Sequence, residues 1–273
     1  MTVTFRILGC GSSGGVPRIH GDWGDCDAHN PKNRRTRCSM LVTKTGADGK
    51  TNLLIDTSPD MRDQLIDAGT DWLDGVLYTH DHADQTHGID DLRAMVYARR
   101  QRIQVWMDDA TAQTLTKRFA YCFSQMRGSD YPSILEDNRI TVPYPNIAID
   151  GAGGTISAIP FRQIHGRIDS LGFRIGNVAY SSDISELPEE SEDALSELDV
   201  WVVDALRRMP HPTHFHLEKT LKMIEKIKPR RAILTNLHID MDYQTLVGEL
   251  PKNVCPAYDG MEFVESQAIE QHA

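Results

Sequence analysis

One short segment constrains this chain more than any other. Thr79-His80-Asp81-His82-Ala83-Asp84 stands directly after the apolar run Gly75-Val76-Leu77-Tyr78. Two imidazoles and a carboxylate at alternate positions can converge if the backbone curls at the end of a strand. Metal bonds of about 2.0–2.2 Å require such convergence. The carboxyl end of an apolar strand is also where sites in α/β proteins collect. A polar loop capping the next helix is the plainer alternative, and a lone histidine would favour it, but the HxHxD spacing argues against it.

Further ligands must come from elsewhere, and His165, Asp183 and His238 each stand at or just after an apolar run. β-rich runs at 3–8, 39–44, 51–56, 75–79, 102–107, 155–163, 170–175 and 177–181 predict strands, with buried runs at 200–203 and 232–237. Helical patterns occupy 59–68, 88–99, 110–119, 189–195 and 217–227. No Pro-, Gly- or Ser-rich linker and no repeat divides the 273 residues, so one domain over 1–273 is expected. The class is α/β (α+β), with mixed sheets covered by helices on their outer faces.

A formal net charge of −10 opposes binding to a polyanion such as nucleic acid, which is gripped mainly through Lys and Arg. A small phosphorylated substrate stays admissible where positive charge is gathered locally. Arg34, Arg35 and Arg37 gather it and could clamp a terminal phosphate, although a solvated charge cluster fits as well. Five scattered cysteines read as free thiols. Cys26 and His29 suggest a metal pair but lack two further ligands, so no structural zinc is expected. No apolar run reaches membrane-spanning length, and the start MTVTFRILGCGSSGG lacks the pattern of a secretory signal, so a cytoplasmic location is expected. GCGSSG matches GxGxxG formally, but Val16-Pro17-Arg18 follows in place of the helix that must receive a pyrophosphate, so it reads as a turn bordering the site.

THxHxD, a later lone His, an Asp after a strand and a final His together resemble the metallo-β-lactamase superfamily. Within it, LGCGSSGGVPRIHGDWGDCDAHNPKNRRTRCSMLV, THGIDDLR, DALRRMPHPTHFH and LTNLHIDMDY are similar to the branch containing the cyclic phosphate phosphodiesterase of phosphonate breakdown. The resemblance implies a four-layer αββα sandwich of two mixed sheets flanked by helices, and two divalent metal ions, zinc or manganese. It implies that His80, His82 and His165 hold the first ion, that Asp84 and His238 hold the second, and that Asp183 bridges both. The family pattern has a histidine after the motif aspartate where this chain has Gln85. An amide oxygen is a weaker donor toward zinc than imidazole, so a weakened second site is expected, with Gln85 a weak ligand or a hydrogen-bonding neighbour. His87, also present in the branch, is expected beside the ligands rather than on a metal.

Two cations sharing a hydroxide would create a nucleophile and neutralise phosphoryl charge, which suits a small cyclic phosphodiester, such as phosphoribosyl cyclic phosphate, or a nucleotide-like substrate. Asp84 would orient the hydroxide. His214, in Pro210-His211-Pro212-Thr213-His214, is the candidate acid for the leaving alkoxide, with a helix-capping histidine as its plainer reading. A transfer-RNA 3′-processing nuclease and a thioesterase or lactonase share the implied fold, and a non-catalytic metal- or nucleotide-binding protein is the rival of another class. A homodimer is an admissible assembly.

Overall fold

Apolar residues alternate along the strands and sort themselves onto both faces of each sheet, which forces every sheet to be covered twice. The computed structural model describes residues 2–265. The chain first forms β1 (Thr2–Gly9), β2 (Ser39–Thr45), β3 (Lys50–Ile55), β4 (Gly75–Leu77), β5 (Ile103–Asp108) and β6 (Leu135–Ile140). It then forms β7 (Ile147–Ile149), β8 (Ile156–His165), β9 (Ile168–Ile175), β10 (Val178–Ser181), β11 (Val200–Asp204), β12 (Arg231–Thr235) and β13 (Val254–Pro256), and returns with β14 (Met261–Val264) to the first sheet. The sheet orders are β14-β1-β2-β3-β4-β5-β6 and β13-β12-β11-β10-β9-β8-β7. Both are mixed: β3 to β6 and β10 to β13 run parallel, the rest antiparallel.

Leu53 and Ile55 of β3 and Val200 and Val202 of β11 face the core between the sheets. Leu54 turns outward beneath the helices α1 (Met61–Asp67), α3 (Leu92–Arg99), α4 (Asp109–Arg118) and α5 (Ala120–Phe123). A short α2 (Ala83–Thr86) carries Asp84 in its first turn. On the other side Trp201 and Val203 pack under α6 (Leu217–Ile227) and α7 (Tyr243–Glu249). The four αββα layers follow directly. The helix expected at 189–195 is instead the 3-10 segment Glu189–Leu195, closed by i to i+3 bonds such as Ser196 N–H to the Asp193 carbonyl. Seven residues between extended flanks recover too few i to i+4 bonds to offset helix nucleation. No helix among the described residues is long and apolar enough to cross a membrane.

The connection from β1 to β2 lies against the segment after β12 and closes one side of the strand ends. Asp242 is the staple. Its carboxylate accepts from Thr245 N–H (2.8 Å), Asn33 Nδ2 (2.6 Å) and Asp27 N–H (3.2 Å), capping α7 and tying it to the connection. Arg35 is 2% exposed and donates to the Met241 carbonyl (2.8 Å) and Asn33 Oδ1 (3.2 Å). This corrects its expected place in a phosphate clamp: a guanidinium bound to backbone inside the protein cannot reach a solvent-borne ligand.

Burial works to raise the Asp242 carboxyl, but the donors from Thr245, Asn33 and Asp27 outweigh it and push it down to about 2. A depressed pKa gives stabilisation present above the ordinary aspartate value of about 3.9 and lost as pH falls through the folded value. Asp242→Ala should lower unfolding free energy by about 1–3 kcal/mol at neutral pH. In urea denaturation the gap between wild type and variant should shrink as pH falls from about 5 through 2; an undiminished gap at low pH contradicts the assignment.

Candidate metal centre

The site is assembled where strands of both sheets end. Asp56, just after β3, adopts the left-handed conformation (φ 63°) and is fully buried. Its carboxylate accepts from Thr79 N–H and from Thr79 Oγ1, both at 2.8 Å. With its own proton given to Asp56, Thr79 Oγ1 can only accept from His80 Nδ1 at 3.0 Å. That fixes the His80 tautomer and leaves Nε2 with a free lone pair. His165, at the end of β8, is fixed likewise, because its Nδ1 faces the Thr213 carbonyl at 2.7 Å and a carbonyl only accepts. Burial lowers both imidazoles, His80 to about 3, so each is held neutral, as a metal ligand must be.

His80, His82 and His165 bring one ligand atom each to within 4.8 Å of one another. Their ring centroids lie 4.5 to 5.1 Å apart and the rings meet edge to face. His80 Nε2 is buried with no hydrogen-bond partner, an arrangement that costs free energy unless something else fills it. Three converging imidazoles, one with an orphaned nitrogen, fit a divalent cation.

His165, Asp183 and His214 form a second converging group. Asp183, after β10, is buried and sits among donors: Gln85 Nε2 at 3.1 Å and Asn236 Nδ2 at 3.4 Å. Gln85 Nε2 also lies 3.4 Å from Asp84, and its Oε1 is buried without a partner. Burial, then the Asp183 charge, pushes Asp84 up to about 6. His238 stands apart from these groups. Its Nδ1 donates to Asp240 at 3.0 Å, and its Nε2 is met by the Arg18 guanidinium.

His214 donates through Nδ1 to the fully buried Asp204 at the end of β11, at 2.7 Å. Burial opposes the imidazolium, but the Asp204 charge and hydrogen bond win and push His214 up to about 9. Asp204 escaped the sequence reading because its partner lies in a loop ten residues away, with nothing local to mark it. The remaining expected residues disperse. Arg34 is exposed, Arg37 pairs with Asp60 at 2.9 Å, and His87 packs edge-on against Phe119, with ring centroids 5.7 Å apart, rather than against a ligand. All five cysteines are free, and Cys26 meets Arg35, not His29.

The Asp56–Thr79–His80 chain of bonds yields a sharp test. Thr79→Val keeps the shape but removes the hydroxyl, and should weaken zinc affinity about 10- to 100-fold in chelator competition. Unchanged affinity would show that His80 needs no such orientation.

A family profile for the β-lactamase superfamily domain matches residues 51–239, more than half of the chain. The crystal structure of a new diphosphatase from the PhnP family superposes with a TM-score of 0.84 at 33% identity, covering 97% of both chains. Human tRNase Z, short form, superposes with a TM-score of 0.64 at 14% identity, covering 97% of this chain and 100% of that one, a likeness of fold alone. A Porphyromonas gingivalis protein named octanoyltransferase is 32% identical over 260 residues, which are 94% of this chain and 51% of that protein. The chain thus spans about half the length of that curated relative. Fold, ligand geometry and these likenesses agree that the chain belongs to the β-lactamase superfamily and to its PhnP family.

Proposed function

We propose that this hydrolase, as a single domain over 1–273, is a phosphodiesterase acting on a small phosphorylated substrate, a cyclic phosphodiester or nucleotide-like ester, in the cytoplasm. The observation that carries this reading is the His214–Asp204 pair at 2.7 Å beside the converging ligands. Hydrolysis of a diester needs a proton for its leaving alkoxide, and a buried carboxylate keeps one on this imidazole. Divalent cations bound here would supply a water of lowered pKa and positive charge against phosphoryl oxygens. His80, His82, His165, Asp183 and Asp84 would hold them, joined by His238 through the Nε2 that the Arg18 guanidinium meets in this structure. With Asp204 on Nδ1, His214 keeps Nε2 to pass its proton to the departing oxygen, and Asn236 Nδ2 at 3.2 Å adds a second neighbour that limits ring rotation. Asp84 orients the incoming water. A net charge of −10 speaks against a nucleic-acid polymer as substrate.

Gln85 supports unequal metal sites. Its amide nitrogen, a donor, faces both Asp84 and Asp183, the carboxylates assigned to the second ion, so it competes with a cation there instead of binding one. One zinc per chain should survive dialysis against a mild chelator, and Gln85→His should raise this to two. Two equally retained ions in the wild type would refute the idea, and a manganese preference at the weaker site would match its oxygen-rich donors.

His214→Ala should lower kcat on bis(p-nitrophenyl) phosphate about 10²- to 10⁴-fold with metal content intact. Loss of metal would make it a ligand, and full turnover would remove its role. Comparing that diester with acyl thioesters and lactones tests the rival reading suggested by the octanoyltransferase name, which faster acyl turnover would favour.

A further inference from the structure

Among the described residues five other than glycine hold a left-handed backbone: Asp56, Arg100, Glu197, Lys228 and Asn236. Arg100 and Lys228 end helices and Glu197 sits in a loop, all three exposed. The two buried ones stand directly after strands at the metal rim, Asp56 after β3 and Asn236 after β12. Buried departures of this kind gather at functional sites, because the surroundings must hold them in place. Asp56 orients His80 through Thr79, and Asn236 turns its amide toward Asp183.

Asn236 is 2% exposed, and its side-chain nitrogen is told from its oxygen by the Ser182 carbonyl, which lies 2.9 Å away and only accepts. That nitrogen's second hydrogen is left for Asp183 Oδ1 at 3.4 Å. His214 Nδ1, 3.2 Å away, has its proton committed to Asp204 and only packs there. On the other side Gln85 Nε2 meets Asp183 Oδ2 at 3.1 Å. Turning that amide over would set its oxygen against the carboxylates of both Asp183 and Asp84. The Asp183 backbone carbonyl is held by Ser170 Oγ at 2.7 Å. Each oxygen of this buried carboxylate is thus met by a different neutral amide, one from α2 and one from the end of β12. Such amides fix the plane of the carboxylate without adding charge that would repel a cation, as a lysine or arginine in either place would.

We infer that Asn236 and Gln85 are a pair of positioning residues that clamp Asp183 by its two oxygens, setting the plane in which it meets a cation held by His80, His82 and His165. The inference deepens the metal-dependent reading and rests on those imidazoles binding a cation. It also accounts for the left-handed turn at Asn236. Leu237 N–H goes on to the Cys10 carbonyl (2.8 Å), so the chain passes from β12 to the end of β1 while the amide stays at Asp183.

Chelator competition on Asn236→Gly separates the amide from the backbone, because glycine takes the left-handed conformation freely and lacks only the side chain. The most tightly held zinc should bind about 10- to 100-fold more weakly than in the wild type. The visible absorption of the cobalt(II)-loaded protein should shift with it, as Asp183 leaves its plane. Wild-type zinc affinity would show that Asn236 serves only the turn, and a weaker affinity with an unchanged cobalt spectrum would mark a loss of structure alone; either result overturns the proposal. Gln85→Leu, close in volume, tests the other amide and should weaken zinc in the same range. It decides the matter by the same two readouts if circular dichroism shows that Asn236→Gly misfolds. In the double variant the two losses should not multiply, since both act through one carboxylate, and losses that multiply would overturn the pairing. No readout here needs turnover, so failure to hydrolyse any diester would sink the phosphodiesterase reading and leave the clamp standing. A wild type that takes up no zinc would overturn the clamp together with the metal centre.

Discussion

The structure depends on neutral imidazoles meeting at one point from strands of two different sheets. His80 follows β4 of the first sheet and His165 ends β8 of the second, so their approach requires the sheets to pack with those ends together. The core between the sheets sets that packing, and the hydrogen bonds behind each ring set its rotation. Asp56 and Thr79 do this for His80, and the Thr213 carbonyl for His165. Each bond removes the proton choice that would turn a ligand into a donor. The cost is a buried His80 nitrogen with nothing to bond, which a cation would relieve.

The same strand ends carry the rest of the chemistry. Asp183 follows β10, Asp204 ends β11 and His238 follows β12, three parallel neighbours whose carboxyl ends lie side by side. Parallel order is what allows residues more than fifty positions apart to share one rim. The connection between β1 and β2, held by Asp242 and Arg35, then adds Arg18 to that rim from the other side.

Much of this was legible in the sequence for a plain reason. HxHxD is local, so its geometry is set by neighbours in the chain, and the apolar runs before His165, Asp183 and His238 announce strand ends. Long amphipathic segments read well: the helix expected at 217–227 is α6 (Leu217–Ile227). Short or polar strands did not: β6 (Leu135–Ile140) reads LEDNRI and pairs through its backbone. Arg34 and Arg35 stand side by side in sequence, but one is exposed and the other buried, because successive residues in extended chain point opposite ways. Composition sees only the shared charge. Asp56 and Asp204 gain their roles from partners distant in sequence, so no run of residues marks them.

The most direct measurement of the central claim is anomalous diffraction at the zinc edge from crystals of the protein grown with zinc. The account predicts a peak enclosed by ring nitrogens of His80, His82 and His165 at about 2.0–2.1 Å, with the His165 Nδ1 still on the Thr213 carbonyl. A peak elsewhere, or no peak with those three rings unmoved, would contradict it.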